Sequence, residues 1–169
     1  MTMKDALPIT GVAEVVLSVR NLPLMREFYR DVLGCALHSE GCYDQDPKPT
    51  PGGEATISFL TIRQIDTPLG RNGHPQLLAL IDVKRHASAR KRLFGHEQTT
   101  STLNHLAFEI PPESYEAHLP RLESLGLAPS LSEFPDMAAK ALFFSDPEGN
   151  QLELICHDRS AGVGTGPSE

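Results

Sequence analysis

The sequence predicts an α+β fold: two βαβββ modules related by a pseudo-two-fold, forming a curved mixed sheet around a central cleft. Two observations carry this. The order strand, helix, strand, strand, strand can be read twice along the 169 residues, and a repeated element order implies two equivalent modules. The second is the stretch Leu142 to Leu154, LFFSDPEGNQLEL, in which two apolar β-forming runs flank Asp146-Pro147-Glu148-Gly149-Asn150. Pro147 presets φ for the first central turn position, and Gly149 and Asn150 accept the left-handed backbone that completes the reversal. A hairpin follows.

In chain order, residues 1–8 read as a loose leader. Val12 to Val19 (VAEVVLSV) is β-branched and apolar, a strand with Glu14 as its only charge. Asn21 can cap the next segment and Pro23 suits a first helical turn; Leu24, Phe28 and Val32 recur at helical spacing before Gly34 stops the helix. Cys35 to His38 reads as a short strand and 40–53 as an irregular Pro/Gly/Asp-rich loop, a type more often functional or mobile than structural. Ala55 to Ile62 and Gln76 to Val83 are strands around a second loop, which completes a first module over 9–83.

A basic linker occupies 84–101, from Lys84-Arg85-His86 through Arg90-Lys91-Arg92, and reads as a solvated connector, part helix and part loop. The second module spans 102–158. Leu103 to Ile110 is a strand stopped by Pro111-Pro112. Tyr115, Leu119, Leu122 and Leu125 fall at helical spacing ahead of Gly126, with Pro120 set to interrupt or kink that helix unless its first turn is irregular. Ala128 to Phe134 is a weaker strand, Ala139 to Phe144 a stronger one, and the hairpin ends the series. Residues 159–169 read as a flexible tail.

Composition narrows the function. The net charge of −7 argues against nucleic-acid partners, since nothing offsets repulsion from phosphates. No apolar run approaches the roughly 20 residues of a membrane helix, and the N-terminus lacks a secretory core. Three cysteines, Cys35, Cys42 and Cys156, without CxxC spacing fit reduced thiols in a cytoplasmic protein, with Cys156 packing as a small hydrophobe.

Alternation puts Glu153 on the face opposite Leu152 and Leu154, together with Gln151 and Ile155. A strand glutamate is more often solvated than functional, but sliding one half along the other matches Glu14 with His105, and Ala79 with Glu153. An imidazole and two carboxylates converging from three strands suit a divalent transition metal (manganese, iron, cobalt, nickel or zinc), with Ala79 leaving a position for water or substrate. The bland alternatives are a satisfied core histidine at His105 and an internal ion pair at Glu14.

The paired modules, the opening VAEVVLSVRNLPLMREFYRDVLG, the mid-chain LNHLAFEI and the closing FFSDPEGNQLELI resemble the vicinal oxygen chelate superfamily. That group comprises glyoxalase-type isomerases, extradiol dioxygenases, fosfomycin-resistance transferases, methylmalonyl-CoA epimerases and bleomycin-binding proteins. The likeness runs from about Ile9 to His157, and is specific for the fold rather than the activity. It implies metal ligands at His105 and Glu153, and at Glu14 where relatives commonly carry histidine. The carboxylate of glyoxalase-type members falls on Ala79, a departure that favours three protein ligands over four; glutamate at position 14 counts against iron(II) oxygen chemistry. His74 and Gln76, ahead of the fourth strand, are candidate substrate contacts, and Arg63 and Lys140 weaker candidates for an anionic group. The resemblance implies a metal-dependent isomerase, lyase or dioxygenase acting on a small oxygenated molecule. The rival is a metal-free binding protein of the bleomycin-resistance type, whose cleft would take an aromatic or cationic compound; 6% aromatic residues and no tryptophan weaken it. A homodimer is compatible with either, because such modules pair within a chain or exchange between chains.

Overall fold

A computed structural model describes residues 12–45, 48–64, 75–92 and 103–158. The chain divides into two compact units, residues 1–93 and 94–169.

In the first unit, β1 (Glu14–Val19), α1 (Leu22–Asp31), β2 (Ala36–Gly41), β3 (Ile57–Arg63) and β4 (Gln76–Asp82) follow one another. The four strands form one sheet in the order β1-β4-β3-β2. β1 runs parallel to β4, and the other neighbours are antiparallel. α1 starts where Asn21 accepts a hydrogen bond from the Leu24 amide, and it ends on Gly34 at φ 74°, where the Cys35 amide reaches back to the Tyr29 carbonyl at 3.0 Å. Its buried face is Leu22, Met25, Phe28 and Tyr29. Leu24, expected on that face, is 44% exposed: the helix begins one residue after Asn21, so Leu22 sets the inward phase and Leu24 falls outside it.

In the described part of the basic segment after β4, two arginines bond back to the unit. Arg85 donates to Asp82 at 2.9 Å and to the Ala55 carbonyl at 2.8 Å, and pairs with Glu54 at 2.6 Å. The helix α2 (Ala87–Arg92) begins with the Ala87 amide on the Tyr43 carbonyl, and Arg90 donates to the Asp44 carbonyl at 2.7 Å. Thr50 bonds Asp44 within the same loop. The described part of the irregular loop between β2 and β3 is thus pinned to the unit by guanidinium groups that bond carbonyls and carboxylates at once.

The second unit repeats the plan. β5 (Leu106–Glu109), α3 (Tyr115–Ser124), β6 (Ser130–Phe134), β7 (Ala139–Ser145) and β8 (Gln151–His157) give the sheet order β5-β8-β7-β6. A 3₁₀ turn, Pro112–Ser114, precedes α3, and Pro120 then lies inside an unbroken helix. α3 ends on Gly126 at φ 78°, as α1 ends on Gly34. One face of the sheet buries Leu142, Phe144, Leu152, Leu154 and Cys156. The Tyr115 hydroxyl of α3 reaches the Ala141 carbonyl at 3.3 Å, and Glu116 pairs with Lys140 at 2.9 Å. All three cysteines are free and buried, and burial pushes the Cys35 thiol up to about 11. No described helix is long and apolar enough to cross a membrane.

Candidate metal centre

The β7–β8 hairpin positions Glu153. Asp146 accepts from the amides of Glu148 and Asn150, each at 2.9 Å, and from the Asn150 side chain at 2.7 Å, while Gly149 takes φ 86°. This turn fixes the register Ser145↔Gln151, Phe143↔Glu153 and Ala141↔Ile155. On the other side β5 pairs Ala107 with Glu153. His105, two residues before Ala107, therefore lies on the Glu153 face.

The two side chains meet. His105 Nε2 is 3.0 Å from Glu153 Oε2, with the Glu153 side chain 5% exposed and that of His105 34%. His105 Nδ1 is 2.6 Å from Asn104 Oδ1, and the Phe143 ring stands edge-on to the imidazole at 5.6 Å. A neutral imidazole that donates Nδ1–H to Asn104 has its remaining lone pair on Nε2, aimed at a carboxylate oxygen. In the other tautomer Nε2–H donates to Glu153 directly; in this one the two facing lone pairs leave room for a cation, a proton or a metal, between or beside them. Donor atoms bound side by side to one first-row cation at about 2.1 Å stand about 3 Å apart at right angles and about 3.4 Å apart at the tetrahedral angle, and a histidine ligand fixed through its other nitrogen is the ordinary arrangement. The pair fits a divalent metal.

The first unit has the same register with different chemistry. Val16 pairs with Ala79, and Phe59 pairs with Ala79, as Ala107 and Phe143 pair with Glu153. Glu14, two residues before Val16, is the counterpart of His105, and Ala79 the counterpart of Glu153. Glu14 is exposed on its strand, and Ala79 is fully buried. Among the described residues, no group of three or more histidine, cysteine or carboxylate side chains is gathered as a metal would need.

Of the other candidates, Gln76 opens β4 opposite Arg63, and His74 lies outside the described residues. Lys140 is removed from the site. It alternates with Phe143 in β7, so it points to the opposite face, where it pairs with Glu116 and covers the Tyr115 ring at 4.2 Å. Asn104 and Phe143 were not singled out from the sequence, although counting back from the Asp146 turn puts Phe143 opposite Glu153.

Two βαβββ units, with an imidazole and a carboxylate on adjacent strands of the second, define a member of the vicinal oxygen chelate superfamily. The chain belongs to the glyoxalase-like domain family, whose model matches residues 14–155. A search of curated protein sequences found no significant match. Among solved structures, the fold is similar to a lactoylglutathione lyase from Agrobacterium tumefaciens, at 19% identity, TM-score 0.58, covering 94% of this chain and 100% of that one. It is also similar to a mutant of the fosfomycin resistance protein FosX from Listeria monocytogenes complexed with Mn(II) and dihydroxypropylphosphonic acid, at 16% identity, TM-score 0.60, covering 94% and 100%. A glyoxalase/dioxygenase from Nostoc punctiforme is similar at 22% identity, TM-score 0.56, covering 88% and 91%.

Proposed function

We infer that the protein is a metal-dependent enzyme acting on a small oxygenated substrate, with His105 and Glu153 as metal ligands and Glu14 as the third. The observation that carries this is the facing of His105 Nε2 and Glu153 Oε2 at 3.0 Å, with Nδ1 already held by Asn104. The Mn(II) complex of the FosX mutant supports a metal of this type. When bound, the metal would polarise vicinal oxygens of the substrate as a Lewis acid. His105 presents its Nε2 lone pair, and Asn104 keeps the ring in the tautomer that does so. Glu153 supplies negative charge from a desolvated position, where its attraction to a cation is screened least. His74 and Gln76, before and at the start of β4, are the proposed substrate contacts. An isomerase, lyase or dioxygenase is the reaction class we propose, a reading supported by the lyase and the glyoxalase/dioxygenase among similar folds. Buried reduced thiols suit a cytoplasmic protein.

The test is metal content. Purified protein dialysed against Mn(II), Co(II) or Zn(II) should retain close to one equivalent, and His105→Ala should lose it. Equal retention by the variant refutes the ligand set. Asn104→Ala should weaken affinity by about 10- to 100-fold.

A second reading, a metal-free binding protein, is favoured by one observation: a protonated His105 would satisfy Glu153 directly as an ion pair. In that case EDTA leaves both the melting temperature and the affinity for a bound compound unchanged.

A further inference from the structure

The helix α2 is capped by an imidazole. His86 stands immediately before Ala87, the first residue of α2, and is buried. Its Nδ1 lies 3.3 Å from the Ser88 amide and 3.0 Å from the Ser88 hydroxyl. An amide N–H only donates, so Nδ1 accepts and carries no proton: the ring is neutral, with its hydrogen on Nε2. This is the N-cap bond that serine or asparagine ordinarily supplies with oxygen. α2 has six residues and no acidic side chain in its first turn, and a helix that short depends on its cap and on what it touches. What it touches is the start of the β2–β3 loop. The Ala87 amide donates to the Tyr43 carbonyl at 2.8 Å, Arg90 donates to the Asp44 carbonyl at 2.7 Å, and the His86 ring lies over Tyr43, tilted by 33° with centroids 5.6 Å apart. All three contacts come from His86 and the first turn of α2.

A protonated imidazole has a hydrogen on both nitrogens and no acceptor left. It turns an N–H toward the Ser88 amide and puts a positive charge at a helix N-terminus, where cations are unfavourable. The described charged groups around it are Asp82 on β4, Asp44 on the loop, and Lys84, Arg85 and Arg90 on its own segment. Asp82 is taken up by Arg85 and two amides, and Asp44 by Thr50. Both sit below their ordinary value of 3.8, Asp82 despite burial, which raises it, and Asp44 chiefly through the Thr50 bond, so neither changes charge near neutrality. We propose that His86 is a pH-sensitive latch: neutral, it caps α2 and holds the Tyr43–Asp44 end of the β2–β3 loop against the helix; protonated, it releases both. Because the capped form excludes the proton, capping is complete above the ordinary imidazole value of about 6.5 and is lost as pH falls below it. The latch uses none of the proposed metal ligands.

The experiment is hydrogen exchange of the full chain, followed amide by amide by NMR, with each rate corrected for the intrinsic rate at that pH. Between pH 7.5 and 5.5 the protection of the Ala87, Ser88 and Arg90 amides should fall by about tenfold, the linkage expected of one group of ordinary value near 6.5 that the capped form keeps unprotonated. The Leu78 and Leu80 amides of β4 should keep theirs. His86→Asn, whose side-chain oxygen accepts at any pH, should retain protection at pH 5.5, and His86→Ala should show the low protection at both values. The wild-type series decides even where a variant fails to fold. Protection of the three amides that stays constant across the window, a fall that Leu78 and Leu80 share, or a fall of the same size in His86→Asn overturns the inference.

Discussion

At the scale of single residues, carboxylates in this chain do three separable jobs. Asp146 is structural: both oxygens are spent inside the turn, on two amides and the Asn150 side chain. Asp146→Ala leaves those donors without their acceptor, and should cost about 1–3 kcal/mol by urea denaturation, lowering metal retention as a secondary effect because the register of Glu153 depends on the turn. Asp82 is a clasp. Burial pushes its carboxyl up, but hydrogen bonds from the Arg85 side chain and from the Arg85 and Lys84 amides outweigh this and hold it below its ordinary value of 3.8. A carboxylate with a depressed folded-state pKa contributes stability that is fully present above the unfolded value and is lost as pH falls through the folded one. Thermal melting should therefore show a loss that begins near pH 4 and grows toward lower pH, and Asp82→Asn should flatten that limb while lowering stability at neutral pH. Glu153 faces His105 instead of a fixed guanidinium, and it is the one of the three that the proposed function uses. Alternation in the sequence sufficed to place it on the face away from Leu152 and Leu154. The same alternation, counted from the hairpin register, puts Lys140, a weak candidate for an anionic group, on the opposite face.

At the scale of elements, both long helices stop in the same way. Gly34 and Gly126 take φ 74° and 78°, and an added Cβ would meet nothing within 4 Å at either. The cost of Gly34→Ala or Gly126→Ala is therefore purely conformational, about 1–2 kcal/mol each, and the two variants should lower stability to a similar extent in denaturant titrations. A large difference between them would mean that something other than the left-handed backbone decides the stop. The glycines were legible because a stop signal lies within the residues it acts on. The buried stripe of α1 was less so: Leu24 and Met25 are both apolar, and only the sheet beneath selects Met25 along with Leu22 and Phe28. α3 gives the converse case, since its proline reads as a breaker and yet lies inside an unbroken helix. Pro120→Ala should raise the melting temperature, as it restores an amide to the helix interior.

For the whole molecule, duplication is the organising fact, and it survives at the level of register. Val16↔Ala79↔Phe59 in one unit has the same place as Ala107↔Glu153↔Phe143 in the other. What has diverged is the chemistry hung on that frame: glutamate for histidine at one position and alanine for glutamate at another. Ala79 is fully buried, so Ala79→Glu should destabilise the apo protein by several kcal/mol, and added divalent metal should recover part of the loss if the new carboxylate reaches a cation. Melting with and without Mn(II) measures both. The sequence by itself determined the element order, the hairpin, the helix stops and the parity that sets Glu153 apart, because turn chemistry and periodicity act between near neighbours. Tertiary structure decided the rest: that His105 and Glu153 come within hydrogen-bonding distance, that Asn104 holds the far side of the imidazole, that Arg85 and Arg90 clamp the loop between β2 and β3, and that Lys140 is occupied elsewhere. Those outcomes depend on side chains brought together from separate segments or turned by local geometry, and neither spacing nor composition encodes which of several available donors a given acceptor will meet.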